Sequence, residues 1–99
     1  MLVHSVFFWL KPEHAEADKA EFLGGLQSLV GIECAKGVYV GTPAATPARP
    51  VIDSSYTFAL TVLLESSEDH DAYQSHPLHL RFLEQFRSYW EKVLIYDAE

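Results

Sequence analysis

The sequence predicts an α+β domain in which strands and helices follow the order βαββαβ. Four runs of the chain are rich in β-branched and aromatic residues, as strands are. After the first run, and again before the last, apolar residues recur with a period near 3.6, as they do in amphipathic helices. Of the 99 residues, 48% are hydrophobic and 21% are charged, so one globular domain over residues 1–99 is expected.

The first part of the chain is predicted to hold a strand, a helix and a second strand. Residues 2–10 form the first strand, and both of its faces are mostly apolar. Pro12 suits the first position of a helix over residues 13–30, and Gly31 suits its end. Residues 36–42 then alternate as a second strand.

A proline-rich segment occupies the middle of the chain. Pro43, Pro47 and Pro50 lie within residues 42–53, and prolines at that density interrupt both helix and sheet. We therefore expect a long loop that acts as a flap or a partner contact. Residues 55–64 follow as a third strand, with larger apolar side chains on one face and smaller ones on the other.

The last part of the chain is predicted to hold two helices and a final strand. Ser66 can cap a short helix that runs to about Ser75, and the acidic residues after it favour the positive end of the helix dipole. Pro77 begins a longer helix that extends to about Lys92. Residues 93–96 form the last strand.

This order of elements is the split βαβ pattern of the ferredoxin-like sandwich, with helices on one face of a four-stranded antiparallel sheet. The uncovered face would be apolar, because the first strand is apolar on both sides and neither face of the third strand is charged. Soluble monomers rarely expose apolar patches of that size. We therefore predict a homodimer in which two open sheet faces pack together as an α/β barrel.

Charge and cysteine content exclude several partners. The net charge of −7 and the scattered lysines and arginines argue against a nucleic acid or an anionic membrane. Cys34 is the only cysteine, which rules out an internal disulfide and suits a reducing compartment. No secretory signal and no apolar run of membrane-spanning length is apparent. We expect a cytoplasmic protein.

The segment from Tyr73 to His79 carries the most distinctive chemistry of the chain. His79 is in helical register with Phe82 and Phe86, so its imidazole should face apolar surroundings. A neutral imidazole there could act as a general base, and the Tyr73 phenol could stay protonated and donate a hydrogen bond to a developing enolate oxygen. The alternative is a histidine that only fills the core near a helix start.

The other histidines have simpler interpretations. His4 lies on an apolar strand face, which favours a hydrogen-bonded core histidine. His76 precedes a proline and is expected to bind local backbone at the helix entry. A metal shared by His76 and His79 is a weaker alternative, and no metal site or cofactor is expected. His14 and His70 lie at polar helix starts and are expected to be solvated.

Three segments together resemble the stress-responsive α/β-barrel (Dabb) family, and the resemblance covers nearly the whole chain. They are VHSVFFWLK at residues 3–11, YQSHPLH at residues 73–79 and SYWEKVLIYD at residues 88–97. The resemblance implies a dimeric barrel of two ferredoxin-like subunits. The family also includes plant polyketide cyclases that perform a cofactor-free aldol cyclisation of a linear tetraketide with a tyrosine and a histidine.

Those catalytic roles would fall on Tyr73 and His79. His4 matches another pocket histidine of the cyclases, whereas Phe58 replaces a further histidine and Leu26 replaces a pocket tyrosine. The candidate ligand contacts are therefore aromatic or imidazole side chains: His4, Trp9, Tyr56, Phe58 and Phe82. Trp9 and Tyr56 could instead lie in the dimer interface. Phe82 has the helical spacing of core residues, so it could instead only pack in the core.

Three functions remain open at this point. The first is a dimeric barrel of unassigned activity that binds a small apolar or aromatic molecule. The second is a cofactor-free acid/base enzyme with cyclase-like aldol chemistry at Tyr73 and His79. The third is a haem-binding or monooxygenase-like barrel, by analogy with dimeric proteins of the same architecture.

Overall fold

The computed structural model of the protein describes residues 1–99 and confirms the predicted order of elements. The strands are β1 (Leu2–Leu10), β2 (Gly37–Gly41), β3 (Phe58–Leu64) and β4 (Trp90–Ala98). The α-helices are α1 (Glu16–Gln27), α2 (Ser67–Ser75) and α3 (Pro77–Phe86), with 3-10 turns at Ser28–Gly31 and Arg87–Tyr89. The strands form one antiparallel sheet in the order β2-β3-β1-β4, so the ferredoxin-like α+β fold is confirmed.

The two central strands supply most of the sheet's contribution to the core. Along β1, five side chains are buried and alternate with four half-buried ones, as a strand between two different environments requires. The register pairs Val6 with Leu60 and His4 with Val62, which places the buried residues of β1 and β3 on one face. The helices cover this face, which we call the covered face.

Two predicted helix boundaries were wrong. Helix α1 begins at Glu16 rather than at residue 13, since Ala15 is its N-cap and donates its backbone N–H to Asp18 at 3.3 Å. Helix α3 ends at Phe86, and β4 begins at Trp90 instead of residue 93. Trp90 continues the helical period of the sequence, but pairing with β1 draws it into the sheet.

The junction of α2 and α3 follows the predicted capping. The Ser66 hydroxyl accepts a hydrogen bond from the Asp69 N–H at 3.2 Å. His76 is the N-cap of α3, and its Nδ1 accepts from the Leu78 N–H at 3.1 Å. Pro77 occupies the first turn, where its missing N–H costs no hydrogen bond. The predicted entry role of His76 is confirmed.

The proline-rich segment has no regular structure and runs directly into β3. That strand starts at Phe58 rather than at residue 55. The residues before it are tied to β1: the Thr57 N–H donates to the Phe8 carbonyl at 2.7 Å, and the Trp9 indole donates to the Ser55 hydroxyl at 3.0 Å. This part of the loop therefore lies against one end of the open sheet face.

The second face of the sheet, which we call the open face, carries no helix and is almost uncharged. Tyr39 and Tyr96 are each 62% exposed there, and Phe7 is half-buried between them. Lys92 is a charged side chain on this face, with its Nζ 4.5 Å above the Trp9 ring, and the Asp53 carboxylate from the proline-rich segment borders the same end of the face. None of the helices combines the length and the apolar character that a membrane crossing would need.

Candidate active site

A cavity of about 120 Å³ lies between the covered face and the helices. Its walls are mostly apolar, with ten hydrophobic residues among the thirteen that line it. The three others are His4 from β1, Gln74 from the end of α2 and His79 from the first turn of α3, and Tyr73, one of the ten, adds a hydroxyl group from α2. The α2–α3 junction therefore brings the two predicted catalytic residues to one cavity.

Tyr73 presents a hydroxyl group that has no partner. Its side chain is completely buried, and its Oη makes no hydrogen bond. Buried hydroxyl groups are normally bonded, because leaving one unpaired costs about 1–3 kcal/mol. Burial raises the pKa of the Tyr73 phenol well above its ordinary value, so the group remains a proton donor.

His79 lies beside Tyr73, with their ring centroids 4.9 Å apart. Its Nδ1 is 3.0 Å from the backbone carbonyl of Gln74. Since a carbonyl can only accept, Nδ1 must carry the proton, which leaves the lone pair of the neutral ring on Nε2. Burial lowers the pKa of His79, although the bond to the carbonyl acts in the opposite direction. The ring is therefore neutral and basic at neutral pH.

His4 is the third imidazole at the cavity and is 2% exposed. Its Nδ1 lies 2.5 Å from Oδ1 of Asp97, the residue paired with His4 on the neighbouring strand β4. The ring of His4 is also 5.8 Å from that of Tyr73, edge to face. As predicted, His4 is a hydrogen-bonded histidine on a buried strand face.

The expectation that His70 and His14 are solvated was wrong. The His70 side chain is 22% exposed and packs edge to face against His4, with ring centroids 5.1 Å apart. The His14 side chain is 15% exposed and stacks on Tyr89 at 4.5 Å. The residues next to each histidine in the sequence are polar, so the sequence gives no sign of burial. The burial results from contacts made in the fold, with His4 on a strand for His70 and with the aromatic ring of Tyr89 for His14.

The remaining candidate ligand contacts divide between the two faces of the sheet. Phe82 lines the cavity together with His4. Phe58 is buried but does not line it, and instead stacks on Phe22 at 5.6 Å. Trp9 and Tyr56 lie on the open face, where they border a separate depression of about 160 Å³.

His76 and His79 do not face a common point. His76 uses Nδ1 to cap α3 and places Nε2 at 3.3 Å from the Glu33 carboxylate, whereas His79 turns toward the cavity. The weaker alternative of a metal shared by these two residues therefore has no geometric support. Cys34 is also no nucleophile candidate, because burial and the nearby Asp69 raise the pKa of its thiol.

Comparison with known proteins adds to this geometry. The model of a family described as the stress responsive A/B barrel domain matches residues 2–99. An olivetolic acid cyclase from Cannabis sativa is 37% identical over 95 residues, covering 95% of this chain and 91% of the cyclase.

Two solved structures show the same fold. A hydroxynitrile lyase from Passiflora edulis superposes with a TM-score of 0.82 at 21% identity, over 98% of this chain and 90% of the lyase. A dimeric ferredoxin-like protein of unknown function from Thermobifida fusca superposes with a TM-score of 0.80 at 18% identity, over 98% of this chain and 88% of that one.

Proposed function

Because this chain belongs to the stress responsive A/B barrel domain (Dabb) family, as its motifs predict, we propose that it is a cofactor-free acid/base enzyme. The proposed substrate is a small apolar carbonyl compound, with His79 as general base and Tyr73 as the hydrogen-bond donor to the developing enolate. The observation that carries the proposal is the unpaired Tyr73 hydroxyl, which is fully buried at an apolar cavity beside a neutral imidazole. The similarity to an olivetolic acid cyclase supports it.

The proposed reaction is an intramolecular carbon–carbon bond formation. His79 Nε2 removes a proton from a carbon between two carbonyl groups, and the electron pair of the broken C–H bond moves onto a carbonyl oxygen. The Tyr73 O–H donates a hydrogen bond to that developing enolate oxygen. The enolate carbon then attacks a second carbonyl of the same molecule, and the new alkoxide takes the proton back from the imidazolium.

The size of the cavity limits the substrate. Its volume of about 120 Å³ is comparable to the roughly 150 Å³ engineered cavity that binds benzene. It therefore accommodates one ring or a chain of similar size. Ile95 lines the cavity and is 52% exposed, so a longer substrate could extend past the edge strand β4. A porphyrin is several times larger than benzene, which disfavours the haem-binding alternative.

A binding barrel without chemistry remains the second candidate, because the apolar lining of the cavity favours a small apolar ligand. Binding and catalysis differ in what they require of Tyr73 and His79. A site that only binds an apolar molecule gains nothing from an unpaired phenol, whereas a proton donor must be free to bond the substrate.

The test compares two active-site variants with two matched variants outside the cavity. Tyr73→Phe and His79→Asn are paired with Tyr89→Phe and His14→Asn, whose side chains interact with Glu21 and Asp18 outside the cavity. Each protein is incubated with linear 1,3,5-tricarbonyl thioesters and with aromatic cyanohydrins, and products are quantified by chromatography. We expect the active-site variants to lose about 10²–10⁴-fold in kcat/KM and the two control variants to keep wild-type rates.

Two outcomes would refute the acid/base assignment. One is turnover that is unchanged in Tyr73→Phe and His79→Asn. The other is binding of these compounds, measured by calorimetry, with no product from any protein, which would favour the binding barrel.

We also propose that the protein is a homodimer joined through its open faces. The face is broad, apolar and nearly free of charge, with Phe7, Tyr39 and Tyr96 at least partly exposed. Residues 55–57 cover the part of the face around Trp9 and Phe7, whereas Tyr39 and Tyr96 stay mostly exposed. A protein of the same fold that is described as dimeric supports the association, though not the choice of face.

A further inference from the structure

We propose that His4, His70 and Asp97 form a binding site for Zn²⁺ next to the cavity. The nitrogen and oxygen atoms that these residues offer all lie within 4.8 Å of one another. Neither the acid/base chemistry proposed above nor the apolar cavity requires these three residues to converge. The site is independent of turnover, so its test stands whether or not the protein is an enzyme.

Three separate elements hold the proposed ligands. His4 comes from the central strand β1, His70 from helix α2 and Asp97 from the end of the edge strand β4. The antiparallel register pairs His4 directly with Asp97, and α2 packs its His70 ring against the His4 ring. The convergence is therefore built into the fold and does not depend on a mobile loop.

The distances between the ligand atoms suggest room for an ion. His70 Nε2 lies 3.8 Å from Asp97 Oδ2, too far for a hydrogen bond. Metal–ligand bonds of about 2.0–2.2 Å in a tetrahedral site place neighbouring ligand atoms about 3.4 Å apart. The 2.5 Å contact of His4 Nδ1 with Asp97 Oδ1 must then open, which a rotation of the carboxylate achieves.

The exposure of the three side chains gives an ion a route to the site. His4 is almost completely buried, whereas the side chains of His70 and Asp97 are 22% and 42% exposed. The buried ligand is thus fixed by packing, and the two outer ligands can adjust. An entering ion would leave at least one coordination position to water, as in zinc sites with three protein ligands.

The donor set selects the kind of metal. Two imidazoles and one carboxylate suit Zn²⁺ and its first-row neighbours, whereas Ca²⁺ and Mg²⁺ prefer oxygen ligands throughout. Occupancy would also change His4. With Asp97 accepting from Nδ1–H, the Nε2 atom is an acceptor, but a metal on Nδ1 leaves the proton on Nε2 and makes that atom a donor.

The experiment measures metal binding directly on the untagged full-length chain after treatment with chelator. Co²⁺ is titrated as a spectroscopic probe and Zn²⁺ by calorimetry. We expect one ion per chain and the intense visible absorption of a four-coordinate Co²⁺ site. Loss of an outer-shell partner typically costs about 10–100-fold in affinity, so His70→Ala and Asp97→Asn, which remove ligands, should cost at least about 100-fold.

The matched control is His14→Ala, which removes another histidine paired with a carboxylate, at 3.2 Å from Asp18. This variant should bind one ion with wild-type affinity. His70 is partly exposed, so His70→Ala is expected to fold, and circular dichroism checks this. Absence of binding to the wild type, or binding that persists unchanged in both His70→Ala and Asp97→Asn, would overturn the proposal.

Discussion

The two faces of the sheet are built from the same strands but have opposite physical characters. On the covered face Phe8 is 3% exposed and packs against Phe22 and Phe82, whereas its neighbour Phe7 on the open face is half-buried against Tyr56 and Tyr96. The covered face also contains polar groups that are costly to bury. The open face contains apolar groups that are costly to expose. The first face holds the proposed acid/base site, and the second is the proposed dimer interface.

The largest expected effect is a difference in stability between two Phe→Ala variants, one on each face of the sheet. Phe8→Ala should lower the free energy of unfolding by about 3–5 kcal/mol, since it leaves a cavity in a closed aromatic cluster. Phe7→Ala should cost clearly less at concentrations where the chain is monomeric. Urea denaturation at low protein concentration measures both. Equal losses would show that the open face is as tightly packed within one chain as the covered face.

A charge on the open face should separate the proposed dimer. Thr61 is half-buried on β3 and pairs with Tyr39 and Ser5, so Thr61→Glu would place two like charges between facing sheets. Juxtaposed like charges cost several kcal/mol, and each 1.4 kcal/mol weakens the dimerisation constant tenfold. Sedimentation equilibrium of the Thr61→Glu variant should give the mass of a monomer.

Thr46→Glu is the matched control, because residue 46 lies exposed in the proline-rich segment. This variant should keep the wild-type mass. A wild-type protein that sediments as a monomer at micromolar concentration would contradict the assignment of the open face to association.

On the covered face, removing the Tyr73 hydroxyl should stabilise the fold. An unpaired buried hydroxyl costs about 1–3 kcal/mol, so Tyr73→Phe should raise the free energy of unfolding by an amount toward the lower end of that range. Tyr89→Phe removes a hydroxyl that donates to Glu21 at 3.0 Å and should change stability by less than about 1 kcal/mol. A destabilised Tyr73→Phe would mean that the hydroxyl already has a partner.

The smallest expected effect is a shift in the titration of His79. Burial disfavours the imidazolium, the nearby His4 and His70 act in the same direction, and the Gln74 carbonyl opposes them. The midpoint of its NMR titration in chelator-treated protein should lie below 6.5. In the chain unfolded by urea it should return to about 6.5.

The same shift has a consequence for stability. Because folding depresses this pKa, the contribution of His79 to stability is complete above about pH 6.5 and falls as the pH drops through the folded-state value. An NMR titration midpoint of His79 above 6.5 would contradict the proposal that His79 is neutral and acts as a general base.

Much of the covered face could be predicted from the amino-acid sequence. Alternation along residues 2–10 separated the two faces of β1 without telling which is buried, whereas the helical register of His79 with Phe82 and Phe86 identified the apolar setting of His79. These patterns are local, because strand and helix periods repeat within a few residues. The ends of α3 and β4 were missed, since Trp90 fits a helical period and is placed in β4 by pairing with β1.

The candidate metal site shows where local patterns end. Asp97 lies 93 residues from His4, and no spacing rule connects them. Nor does any local pattern distinguish His70 from the acidic residues around it in the sequence. Likewise, the aromatic character of Trp9 and Tyr56 suggested ligand contacts, but side-chain type alone could not assign them to a face.

By itself, the sequence determined the order of the elements, the family, and the pairing of Tyr73 with His79 across one capped helix junction. Those features depend on residues close together in the chain. Only the tertiary structure decided that Tyr73 has no hydrogen-bond partner and that His4, His70 and Asp97 converge. Both depend on strand register and helix packing, which bring distant residues within a few ångströms and so set their hydrogen bonding and burial.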